Sequence, residues 1–75
     1  MEEKILEIIK EITRNNSVDE NSCLVEEGIL DSMAIASLIS ELSLEFSVHI
    51  PYEEIKEENF NSVGAIEALV KKLVK

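Results

Sequence analysis

Few positions in this chain combine residue types and spacing that could do chemistry. The strongest candidate is the run Gly28-Ile29-Leu30-Asp31-Ser32-Met33. An apolar-periodic segment starts directly after it, so Asp31 is placed to cap a helix by accepting from free N–H groups of the first turn. Ser32 then stands at a helix N-terminus, where unpaired N–H groups and the helix dipole favour an anion. A phosphodiester on the Ser32 hydroxyl would lie in a favourable field. The same residues also have a plain structural reading, because aspartate and serine begin helices that do no chemistry. Spacing alone leaves both readings standing.

Other chemistries lack their residues. His49 is the only histidine, and no serine or cysteine is tied to it by a recognisable motif, so a Ser-His-Asp arrangement has no basis. It reads as an exposed connector residue. A zinc site needs about four Cys/His ligands, more than this chain has, and no metal site is expected. Asp19-Glu20-Asn21 resembles the start of a calcium loop, but Leu24 falls where the glycine is required and Leu30 where the bidentate glutamate is required. The glycines, Gly28 and Gly64, form no phosphate-binding loop. No catalytic residue is expected, and the chain does not read as an enzyme.

Size and charge agree with that. The 75 residues read as a single domain over 1–75. A domain of this length buries roughly 60% of its unfolded surface, too little to enclose a deep substrate cavity beside a filled core. The net charge is -9, from 16 acidic and 7 basic residues. Nucleic acids and anionic membranes should repel such a chain, and basic protein surfaces should attract it. Cys23 is the only cysteine, so no internal disulfide is expected. The N-terminus does not read as a signal peptide, and no apolar run approaches the ~20 residues of a membrane span. A cytoplasmic monomer is expected.

The elements that must position Ser32 are helical. Ile5, Ile8, Ile9 and Ile12 mark one face of a first helix that stops at Asn15-Asn16-Ser17. Residues 15 to 30 lack a clear period, but Val18, Leu24, Val25, Ile29 and Leu30 can pin them to a core, and Gly28 offers a bend. The second helix is expected over 32–46, with Ile35, Leu38, Ile39, Leu42 and Phe46 on one face. Val48 to Pro51 should be extended, and a short third helix should follow at about 52–56. Asn61 or Ser62 can cap the last helix, whose apolar face is Val63, Ile66, Leu69, Val70, Leu73 and Val74, with Lys71, Lys72 and Lys75 at its C-terminal end. The fold class is therefore all-α: an irregular four-helix bundle with three long helices, one short one and a long first loop.

Three segments, in this order and at these separations, resemble the acyl carrier protein superfamily. They are Ser22 to Met33, ending in Asp31-Ser32-Met33; Glu45-Phe46 with Ile50-Pro51 and Glu53-Glu54; and Asn61-Ser62-Val63-Gly64-Ala65-Ile66. The resemblance spans nearly the whole chain. It implies that Ser32 is esterified by 4'-phosphopantetheine from coenzyme A, and that the terminal thiol holds an acyl or aminoacyl group as a thioester. Gly28 lies four residues before Ser32, and the second helix has only Glu41 and Glu45 as acids. Both features depart from the fatty-acid carriers, and the Gly28 to Met33 string more resembles D-alanyl carrier proteins and other stand-alone carriers, although Phe60 stands where tryptophan is expected in a D-alanyl carrier.

The partners so implied are a phosphopantetheinyl transferase, an adenylating ligase or acyl synthase, and a downstream acyltransferase. Met33 is the candidate contact beside Ser32, because methionine adapts to varied surfaces. Glu41, Glu45, Glu53 and Glu54 are candidate docking acids, with simple solvation as the alternative for each. A fatty-acid-type carrier and an unmodified acidic interaction module are the alternative functions.

Overall fold

A computed structural model describes residues 1–74, so Lys75 lies outside the described residues. The described residues form α1 (Glu2–Thr13), α2 (Ser32–Phe46), a 3-10 turn (Tyr52–Glu54), α3 (Glu57–Phe60) and α4 (Val63–Leu73). The expected all-helical bundle is what forms. Helix α1 packs on α2 and α4, and α3 packs on α4. Lys4, near the start of α1, lies 3.8 Å from Glu45, near the end of α2. Ile12 and Thr13, at the other end of α1, share a hollow with Asp31 and Met33 at the start of α2. The two helices are therefore antiparallel.

Periodicity decides which faces meet. Ile5, Ile8 and Ile9 of α1, Leu38 and Leu42 of α2, and Val63, Ile66, Leu69 and Val70 of α4 are buried together. Each such aliphatic side chain contributes about 1.5–3 kcal/mol on leaving water. Phe60 of α3 is fully buried in the same cluster. Val48 and Ile50 are buried and alternate with exposed Ser47 and His49, the period of an extended segment. Helix α2 is closed by Ser47 in the left-handed region, at φ 52°.

The short third helix expected at 52–56 takes a different form. It divides into the 3-10 turn and a separate turn, α3, with Ile55 and Lys56 outside both. An α-helix continuing through this stretch would offer the Glu54 carbonyl to the amide of residue 58. The Asn59 side-chain amide donates to that carbonyl instead, at 2.7 Å, and the Lys56 amide donates to it at 3.0 Å. The last helix also ends earlier than its apolar pattern suggests. Val74 caps it in an extended conformation and is 40% exposed.

Glu54 is held by α4. The Lys72 ammonium donates to Glu54 Oε2 at 2.7 Å, and Asn59 Nδ2 lies 3.2 Å from Oε1. The Lys72 hydrogen bond, helped by the Lys72, Asn59 and Lys56 side chains and opposed by partial burial, holds this carboxyl below its ordinary value. A depressed carboxyl stabilises the fold above its unfolded value, and that contribution is lost as pH falls through the folded one. The melting temperature of wild type should therefore exceed that of Glu54→Gln at neutral pH, with the gap closing as acid protonates the Glu54 carboxylate. Thermal melts across that range check this; a gap that persists unchanged into acid contradicts it.

Candidate functional site

The loop before α2 is built from short local hydrogen bonds. The Asn15 carboxamide oxygen accepts from the Ser17 amide at 2.9 Å, and Asp19 Oδ1 accepts from the Asn21 amide at 2.8 Å. Cys23 and Glu27 bond twice: the Glu27 amide donates to the Cys23 carbonyl, and the Glu27 carboxylate accepts from the Cys23 amide, each at 2.8 Å. Gly28 turns the chain at φ 75°, where a side chain would be strained. The Leu30 amide then donates to the Leu24 carbonyl at 2.9 Å, closing the loop just before α2. Val18, Leu24 and Leu30 are buried, which fixes the loop on the core.

Helix α2 starts as its residues suggest. Asp31 is extended, and its Oδ1 accepts from the Ala34 amide at 2.8 Å. Ser32 is the first helical residue and is exposed, and Met33 beside it is 81% exposed. The amides of Ser32 and Met33 have no helical carbonyl ahead of them. An open hollow of about 340 Å³, lined by Ile12, Thr13, Ile29, Asp31, Met33, Ala34 and Ser37, lies next to Ser32. A phosphodiester fits this position: the hydroxyl faces water, the helix N-terminus is electropositive, and nothing must be desolvated to place it.

The candidate contact residues are spread out. Met33 adjoins Ser32, but Glu41 is nine residues along α2, about 14 Å away, and Glu45 is about 20 Å away. The outward residues between them, Ala36, Ser37 and Ser40, are uncharged. Glu41 is exposed beside Ile8, Glu11 and Ile12. Glu45 faces Lys4. Glu53 is exposed on the 3-10 turn, whereas Glu54 is engaged by Lys72 and Asn59 and so is not a free acid.

Asn61 has a place that the sequence did not reveal. Ser62, not Asn61, caps α4, its Oγ accepting from the Ala65 amide at 3.0 Å. Asn61 instead reaches across to the loop: its Oδ1 accepts from the amides of Val25 at 2.9 Å and Glu26 at 3.1 Å, and its carbonyl accepts from the Leu24 amide at 2.8 Å. The pair Asn61-Ser62 shows only that one of the two is left out of the cap, not where that residue reaches.

A small helical bundle that presents an outward hydroxyl at the head of a long helix has the form of a carrier for a covalently attached arm. The chain belongs to the family described as the phosphopantetheine attachment site, which matches residues 3–70. Membership implies a covalent 4'-phosphopantetheine. The D-alanyl carrier protein of Lactococcus lactis subsp. cremoris (strain MG1363) is 39% identical over 72 residues, spanning 93% of this chain and 91% of that protein. The D-alanyl carrier protein of Listeria monocytogenes serotype 4b (strain CLIP80459) is 35% identical over 60 residues, 77% of each. A chain in a solved structure titled "Crystal structure of FAD-dependent dehydrogenase" superposes with a TM-score of 0.78 at 32% identity, covering 88% of this chain and 96% of that one.

Proposed function

We propose that Ser32 is the attachment residue and that the thiol of its arm carries an aminoacyl group, with D-alanine as the first cargo to test. The observation that supports this most is the exposed Ser32 hydroxyl at the first position of α2, directly after the capping Asp31, in a chain of this family. A transferase can reach the hydroxyl without disturbing the core. The cargo reading rests on similarity to D-alanyl carrier proteins. In this reading residues 1–75 act as one domain that does no chemistry of its own. A transferase adds the arm, an adenylating ligase loads it, and an acyltransferase unloads it.

Charge steers partners in first, and the apolar contact forms on arrival. Met33 lies at the docking point, and Glu41, Glu45 and Glu53 give the approach its electrostatic direction. No helix among the described residues is long and apolar enough to cross a membrane; a cytoplasmic location suits the coenzyme A supply.

The test is stepwise mass spectrometry. Coenzyme A, magnesium and a broad-specificity transferase should add one arm. ATP, D-alanine and a D-alanine-activating ligase should then add one alanyl group, released by hydroxylamine as a thioester is. Arm addition without alanyl transfer would retain the carrier and remove this cargo. The solved chain titled for an FAD-dependent dehydrogenase favours a second cargo route, in which a flavin enzyme oxidises the carried acyl group. Turnover of an acylated chain by such an enzyme would separate the two.

A further inference from the structure

We infer that Asn61 is a positioning residue for the modification of Ser32. This rests on Ser32 being the attachment residue. Among the described residues, every hydrogen bond from the 15–30 loop to the elements outside it ends on Asn61: three from the backbone amides of Leu24, Val25 and Glu26, and one longer contact from Asn61 Nδ2 to Glu26 Oε1 at 3.5 Å. These links join positions 35 to 37 residues apart in sequence. Leu24, the first residue so held, is also the one whose carbonyl receives the Leu30 amide. The Leu24 carbonyl belongs to the same peptide as the Val25 amide that donates to Asn61 Oδ1, so a path runs from the Asn61 side chain through the Leu24–Val25 peptide and Leu30 to Asp31 and Ser32.

In this inference the transferase takes the loop and the start of α2 together, so their relative placement matters. Buried Leu24 and Leu30 give the loop affinity for the core, but apolar contact is not directional. The Asn61 bonds supply direction. If they are lost, the loop samples other arrangements, and the fraction of chains in the competent one falls. Apparent affinity falls by that same fraction, whereas the rate from the bound complex does not.

The full apo chain serves for the test, with coenzyme A, magnesium and a broad-specificity phosphopantetheinyl transferase. Asn61→Ala removes both side-chain acceptor bonds. It should raise KM for the carrier about tenfold with kcat within about twofold, and the Val25 and Glu26 amides should exchange hydrogen about tenfold faster. Asn61→Asp keeps an oxygen that can accept from both amides and should return KM to within about threefold of wild type. Val70→Ala, buried in α4 nine residues beyond Asn61, should lower the melting temperature and leave KM unchanged. Should Asn61→Ala melt below the assay temperature, Asn61→Ser replaces it, with an intermediate KM expected.

A wild-type KM in the folded Asn61 variant, despite fast exchange at Val25 and Glu26, overturns the inference. So does a KM for Val70→Ala raised as far as that for Asn61→Ala, which would make the effect one of stability. Loading that survives Ser32→Ala would instead remove the attachment reading, a separate failure.

Discussion

Phe60→Ala is expected to lower the melting temperature by about 12–40 °C. Phe60 has no exposed surface and is among the largest of the fully buried side chains. Truncating a buried phenylalanine costs about 3–5 kcal/mol through lost transfer energy and the cavity left behind. A domain of this size has only about 4–11 kcal/mol in total, and each kcal/mol shifts the midpoint by about 4–8 °C. Its site in α3, a single turn, sharpens the effect: α3 has no long helix of its own to persist without that anchor. Thermal melts followed by circular dichroism check this, and a drop of only a few degrees would show that α3 contributes little to the core. Phe60→Leu, which keeps most of the volume, should lose much less.

Ser32→Ala is expected to do the reverse, leaving the fold intact and abolishing loading. Ser32 is exposed, and its side chain makes no hydrogen bond among the described residues. The cap is supplied by Asp31, which the substitution leaves in place. Alanine is a good helix former, so the melting temperature should move by no more than a few degrees. Loading by the transferase should fall to nothing, because the ester oxygen itself is gone. A folded Ser32→Ala chain that still gains the arm would place attachment elsewhere. A variant that fails to fold would give Ser32 the structural role that its exposure denies it.

The parts of the fold legible in the sequence were those with long, regular periodicity. The four isoleucines of α1 and the Asp31 cap with the i, i+3, i+4 pattern of α2 led to the observed helices, and α2 spans the expected 32–46. Pro51, which keeps Ile50 out of helical geometry, marked the extended link. The region from Tyr52 to Phe60 was less legible, because its form depends on non-local groups: Lys72 from α4 engages Glu54, and Asn59 takes a carbonyl that a helix would have used. The same holds for Asn61. Its type announced a cap, but its partners lie 35 to 37 residues earlier, beyond any local pattern. Glu54 illustrates the limit for surface acids: it was a candidate docking acid with solvation as the alternative, and no local pattern shows that a lysine of the same chain lies against it.

The central claim is that Ser32 takes the arm, and the most direct measurement is site-resolved mass spectrometry of the chain after incubation with coenzyme A, magnesium and a broad-specificity transferase. The expected result is a gain of one phosphopantetheine, located on the peptide containing Asp31-Ser32-Met33 and on Ser32 within it. An arm on Ser37 or another serine, or no gain from a folded chain beside an active control carrier, would contradict it.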